Sequence, residues 1–171
     1  MRHALLHITL VSILLSLAAC HGDPPMVVAP THRGNDLKEN MINANKTIAQ
    51  SEETAIDQYV ARRHWDMQTL VNGARIMEYE VGKGPKVNYE DSVHIRYRVE
   101  AINGHVIYDS VDEHFVAGRR QQMIGLDEAV RALHFGSRAM VILPSNLAYG
   151  MGGDGDRIPQ QAILVLDLTI E

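Results

Sequence analysis

From Val93 to Glu100 the chain alternates without interruption: Val93, Ile95, Tyr97 and Val99 are apolar or aromatic, and His94, Arg96, Arg98 and Glu100 are polar or charged. Residues two apart share a side only in an extended chain, so this stretch is a strand with one face for a core and one for water. Asn103-Gly104 then gives a hairpin signal, and His105–Tyr108 returns as the partner strand. A strand wet on one side belongs to antiparallel sheet. Arg75–Val81 offers a further strand, with Ile76, Tyr79 and Val81 as inward candidates, ending in Gly82-Lys83-Gly84-Pro85. Ala139–Leu143 reads as a buried strand stopped by Pro144, and Ala162–Ile170 as a closing strand with Leu164, Leu166, Leu168 and Ile170 on one side. Between them, Leu126–His134 is a short helix with Leu126, Val130 and Leu133 on one stripe, stopped by Gly136. No βαβ crossover is spelled out. The sheet's apolar face needs a cover and that helix is the available one, so residues 73–171 are expected to form an α+β domain, an antiparallel sheet wrapped on one short helix.

Ahead of it, Leu37–His64 contains neither proline nor glycine, and Met41, Ile42, Ile48, Ala49, Ile56, Tyr59 and Val60 fall close to one helical face. Asn35 or Asp36 offers an N-cap, and Ser51 followed by Glu52-Glu53 offers a second, which would divide the segment into two helices. A helical arm is expected over 37–72. Two readings stand for it: a solvated helix packing loosely on the following domain, or a dimerisation arm pairing two copies through 37–64. Seven apolar positions are too few to require a coiled coil.

The chain opens on the basic Met1-Arg2-His3, followed by an apolar run from Ile8 to Leu15. Even with its flanking residues, at roughly 12 to 15 in all, the run is too short to span a bilayer, which takes about 20. A secretory signal is the expectation over 1–19. Leu17-Ala18-Ala19-Cys20 looks like a bacterial lipobox, which implies acyl chains on Cys20 and stable anchoring. The plainer alternative is a signal peptide with an incidental cysteine. Residues 20–36, with Pro24, Pro25 and Pro30, read as a linker reaching on the order of 20 Å as a coil. The expected location is the cell envelope, lipid-anchored on the periplasmic side, with inner or outer membrane left open.

Composition excludes several classes of function. Sixteen basic and 21 acidic residues leave a net charge of −5, without the basic excess that nucleic-acid binding requires. One cysteine rules out an internal disulfide, a CxxC redox pair and a cysteine-rich zinc site. The nine histidines are scattered, with no HExxH, so no metal and no cofactor is expected.

Five segments, in order, resemble the FKBP family of peptidyl-prolyl isomerases. Val93-His94-Ile95-Arg96-Tyr97 is similar to the family's first core strand. Asn103-Gly104 followed by Tyr108-Asp109-Ser110 is similar to its Gly-x-x-Phe-Asp-Ser segment with one extra residue, and Met123-Ile124-Gly125-Leu126 to its Val-Ile-x-Gly-Trp. Leu143-Pro144 with Ala148-Tyr149-Gly150, then Ile158-Pro159 with Leu164-Val165-Leu166-Asp167, complete the series. The lipobox and arm also look like the gliding-motility-associated FKBP lipoproteins of bacteria. The resemblance implies X–Pro segments of folding envelope proteins as partners. It implies that Tyr149 donates to the substrate carbonyl and that the Met123 N–H holds the chain beyond proline. Asp109 would accept from the Tyr97 hydroxyl. Tyr97, Tyr108, Phe115, Met123, Leu126, Ile158 and Leu166 would wall the proline ring.

Each residue has a plainer reading beside that one. Tyr97, Leu126 and Leu166 suit the core of any such fold, and Asp109 suits a turn before Ser110. Leu126 stands where the family usually has tryptophan and Leu166 where it usually has phenylalanine, a loss of ring area worth ~1–2 kcal/mol per site. A shallow pocket, weak macrolide binding and reduced isomerase activity are expected. The alternative is a catalytically weak binding module or holdase that uses the arm. Gly150–Asp156 (GMGGDGD) touches on a calcium repeat, but a single copy reads better as a flap over the pocket.

Overall fold

The computed structural model describes residues 33–171. Cys20, the signal segment and the proline-bearing linker lie outside the described residues. The chain divides between Asn40 and Met41 into two units, and all the packing that follows lies within the second.

Helix α1 runs over Arg33–Arg63. It begins ahead of the Asn35 and Asp36 cap positions and passes through Ser51-Glu52-Glu53 unbroken, because no proline or glycine after Gly34 interrupts the backbone ladder. Ser51 therefore caps no second helix, and the Glu52 carboxylate reaches across to Ser145. His64 ends α1 with a left-handed φ of 53°, the conformation that commonly terminates a helix. Strand β1 (Gln68–Thr69) follows and pairs with β2 (Arg75–Glu80), so the end of the segment read as an arm belongs to the sheet. Strands β3 (Ser92–Ala101) and β4 (Val106–Val116) form the hairpin. Gly104 supplies its left-handed corner at φ 87°, with the Gly104 N–H on the Ala101 carbonyl at 2.8 Å. Helix α2 (Ile124–Ala132) and β5 (Arg138–Leu143) come next, then a 3-10 turn over Ser145–Leu147 and β6 (Leu164–Ile170).

The sheet is six-stranded in the order β1-β2-β5-β6-β3-β4, and every pair is antiparallel. Its inner face carries Val93, Ile95, Tyr97, Val99, Val141, Leu164, Leu166 and Leu168, packed against Leu126, Ala129, Val130 and Leu133 of α2. On the outer face a second cluster joins Ile56 and Tyr59 of α1 to Ile142, Ile163 and Val165. Cover on both faces explains why β5 and β6 read as unbroken apolar runs, Val141-Ile142-Leu143 and Leu164-Val165-Leu166, where β3 alternates. The contact of α1 is tight, since Ile56 and Tyr59 are fully buried. Residues three apart fall on opposite faces of a strand, so Ile76 points inward while Tyr79 faces out, its hydroxyl on Asp167 at 2.6 Å. Val81 lies past the strand end and is exposed.

Candidate active site

The inward side of β3 at its middle brings up Tyr97 and Val99. Opposite them the register of β4 shifts: Tyr97 pairs with Val111 but Val99 pairs with Tyr108. One extra residue on β4 is accommodated there, which leaves both Asp109 and Ser110 opposite Arg98 on the outer side. The bulge keeps Tyr108, Val111 and Glu113 on the cleft side and turns Asp109 away. Asp109 is exposed, with its carboxylate 3.4 Å from Arg98 Nε. It therefore does not accept from the Tyr97 hydroxyl, contrary to the expectation from its place in the motif.

From the other side, Met123 stands immediately before α2 and its carbonyl accepts the Asp127 N–H at 3.0 Å, while no acceptor among the described residues engages its own N–H. Buried Asp127 takes the Gly118 N–H at 2.7 Å and so fixes the loop that leads to Met123. Gly125 lets α2 approach closely, since a Cβ there would lie 2.6 Å from Leu143 Cδ2. The loop after the 3-10 turn carries Tyr149, Asp154 and Ile158. The Ser145 carbonyl accepts from Ala148 N and Gly150 N at 3.1 and 2.8 Å, which frames Tyr149. Asp154 ties the rest together: one oxygen accepts from Asp156 N and Ile158 N at 2.9 and 2.8 Å, and the other takes the Tyr108 hydroxyl at 2.6 Å. The Gly150–Asp156 segment thus forms a wall of the cleft, and Asp154 is committed to hydrogen bonds.

Together Tyr97, Val99, Tyr108, Val111, Glu113, Met123, Tyr149, Asp154 and Ile158 enclose a cleft of about 170 Å³. This is below the ~300–1,000 Å³ of ordinary small-molecule sites and suits a single side chain. Other hollows are larger, one of about 270 Å³ between β2 and α2, but none gathers tyrosines. Five of the expected residues, Tyr97, Tyr108, Met123, Tyr149 and Ile158, meet here. Phe115, Leu126 and Leu166 do not line the cleft; they are core residues of the inner face, fully or almost fully buried. Val99, Val111, Glu113 and Asp154 were not anticipated. Val111 and Glu113 continue the alternation back from Phe115, a signal the bulge obscures, whereas nothing local marks Asp154.

Electrostatically the cleft keeps its hydroxyl groups protonated. Burial raises Tyr97, helped by the charges of Tyr149 and Glu113. Burial likewise raises Tyr149, with Asp154 and Glu113 adding to it. Tyr108 is pushed up to about 12, chiefly by its hydrogen bond to Asp154. That same bond holds Asp154 below the usual carboxylate range, together with its backbone donors. The Tyr149 hydroxyl has no hydrogen-bond partner among the described residues, and the residue is 39% exposed, so its donor is available at the cleft.

Fold and cleft define a class of protein: an α+β domain with a small tyrosine-lined cleft that carries no serine, cysteine, histidine or lysine. The model of the FKBP-type peptidyl-prolyl cis-trans isomerase family matches residues 84–171, and the chain belongs to that family. It is 31% identical over 109 residues to a "Probable FKBP-type 25 kDa peptidyl-prolyl cis-trans isomerase" of Pseudomonas aeruginosa, covering 64% of this chain and 48% of that one. It is 33% identical over 106 residues to the FKBP-type peptidyl-prolyl cis-trans isomerase FkpA of Aeromonas hydrophila, covering 61% of this chain and 39% of that one. The chain thus spans about half the length of these relatives or less. A crystal structure of a peptidyl-prolyl cis-trans isomerase from Pseudomonas syringae superposes with a TM-score of 0.62 at 24% identity, over 73% of this chain and 92% of that one. That of AtFKBP13 gives 0.56 at 22% identity, over 61% and 96%. At these identities the structural likeness bears on the fold.

Proposed function

We propose that the protein is a peptidyl-prolyl cis-trans isomerase held in the bacterial cell envelope, acting on X–Pro segments of secreted or membrane proteins as they fold. The observation that supports it best is the convergence of Tyr97, Tyr108 and Tyr149 with Val99, Val111, Met123 and Ile158 around one side-chain-sized cleft. Unaided X–Pro rotation takes tens to hundreds of seconds because amide resonance must be broken. The twisted amide has less charge separation than the planar one, so the apolar wall of Val99, Val111, Met123 and Ile158 favours it relative to water without any nucleophile or metal. Tyr149 would donate to the carbonyl of the substrate, and the free Met123 N–H would pair with the chain beyond proline. Attachment to the membrane would be through Cys20; among the described residues no helix is long and apolar enough to cross one.

The test is isomerisation of a short X–Pro peptide by the full-length chain beside Tyr149→Phe. Loss of one donor, worth about 0.5–1.5 kcal/mol, should slow catalysis about two- to tenfold. A folded protein with no activity above background overturns the reading.

Exposed Met41 and Ile42 favour a second reading, in which α1 offers apolar surface to unfolded clients or to a second copy of the chain. Met41→Lys with Ile42→Lys would then abolish suppression of client aggregation, or dimerisation in sedimentation, while leaving peptide isomerisation intact.

A further inference from the structure

We propose that the outer face of the β3–β4 hairpin binds a divalent transition-metal ion through His94, His114 and Asp112. The histidines lie twenty positions apart in sequence, but the register sets them directly opposite each other across the strands. Their rings stack with centroids 3.9 Å apart. Asp112, two residues before His114, shares its face of the strand. Its Oδ1 lies 2.9 Å from His94 Nε2 and 3.9 Å from His114 Nε2, and the ligand atoms of the three residues all fall within 4.8 Å of one another.

Metal–ligand bonds of ~2.1 Å at tetrahedral angles place neighbouring ligand atoms about 3.4 Å apart, a spacing that 2.9 and 3.9 Å straddle. Only a splay of the two rings is needed, and His114, with 71% of its side chain exposed, is free to tilt. The surroundings already orient the donors. His94 Nδ1 faces Glu171 Oε2 at 2.8 Å, the carboxylate–histidine arrangement that fixes a ligating ring, and its Nε2 points toward the site, 2.9 Å from Asp112 Oδ1. Arg96 steadies both acids: its NH2 lies 2.8 Å from Glu171 Oε1, and its Nε lies 3.6 Å from Asp112 Oδ2, leaving Oδ1 to face the histidines. With neutral imidazoles, two carboxylates and one guanidinium leave a net charge of −1 to receive a cation. Two imidazole nitrogens and one carboxylate suit zinc, nickel or copper and not the oxygen-seeking calcium or magnesium, and three protein ligands leave a position for water. The site lies on the opposite side of β3 from Tyr97, so it is separate from the isomerase cleft.

Zinc and nickel chlorides titrated into metal-free full-length protein, in competition with a chromophoric chelator, test this. One equivalent should bind, with the His94 and His114 ring resonances shifting on addition, while calcium and magnesium give neither effect. His94→Gln and His114→Gln should each weaken binding at least tenfold, and Glu171→Gln, which leaves all three ligands in place, by about tenfold. His114 is exposed, so its variant should fold and retain its isomerase rate. Binding that is undiminished in both histidine variants, or no saturable binding below millimolar metal, overturns the proposal.

Discussion

On the inner face α2 covers the sheet with Leu126, Ala129, Val130 and Leu133, all buried and continuous with the main core, whereas on the outer face α1 reaches the sheet through Ile56 and Tyr59 among charged groups. Glu52 accepts the Ser145 N–H at 3.0 Å and its hydroxyl at 2.5 Å. Buried Arg75 pairs with Glu53 and Asp57 one turn along. Apolar contact is non-directional and tolerates sliding, while hydrogen bonds to one backbone amide do not. The inner helix thus supplies bulk stability and the outer helix supplies register. The difference has a functional side, because Ser145 is the residue whose carbonyl frames Tyr149.

The largest effect should follow from breaking the inner contact. Leu126→Ala leaves a cavity at a fully buried position and is expected to cost about 2–5 kcal/mol in urea unfolding. A cost below 1 kcal/mol would mean that α2 is not integral to the core. The outer staple should cost less. Glu52→Ala strands the Ser145 N–H and hydroxyl in a buried setting, at about 1–3 kcal/mol. Its signature is local: the Ala148 and Gly150 amides should exchange faster, and isomerase activity should fall with the loop that carries Tyr149. Unchanged exchange there would separate α1 from the cleft.

How far the sequence carried these contrasts depends on how local their causes are. The alternation of Val93–Val99 and the Asn103-Gly104 corner encode the hairpin in neighbouring residues, and both stand as read. Leu126 and Leu166 were assigned to the pocket by position in a motif, but shorter side chains at those positions fill the core and leave the cleft to Val99 and Val111. Asp109 was misplaced because a bulge is a property of two strands in register, and the extra residue that signals it does not say which side chain turns outward. Glu52 read as an acidic residue behind a Ser51 cap because its partner, Ser145, is ninety-three positions away. His94 and His114 were passed over as scattered for the same reason.

A smaller, pH-dependent effect belongs to the tie between Asp154 and Tyr108. Asp154 lies below the usual carboxylate range when folded, so its contribution is full above the ordinary carboxylate pKa and is lost as pH falls through its depressed value. Tyr108, raised to about 12, loses its contribution only as pH rises through that value. The wall should hold everywhere between. In an alkaline titration followed by tyrosine ring resonances, Asp154→Asn should move Tyr108 back toward the ordinary value near 10 and leave Tyr79, also pushed up to about 12, where it is. Tyr108 unmoved would break the assignment of the tie.

The smallest effect is the most discriminating between the two faces. Asp109 occupies the motif position from which the resemblance assigns an acceptor for Tyr97, yet its side chain is 88% exposed and meets only Arg98. An exposed ion pair of this kind is worth about 0–1 kcal/mol and is screened by salt. Asp109→Asn should therefore leave both the unfolding midpoint and peptide isomerisation within error of the wild type. Asp154→Asn, which changes an acceptor in the cleft wall, should lower isomerisation several-fold. Should the order reverse, with Asp109→Asn the damaging change, the bulge would have to open so that Asp109 swings to the inner face when substrate binds. The register Tyr97–Val111 and Val99–Tyr108 would then describe only the unliganded hairpin.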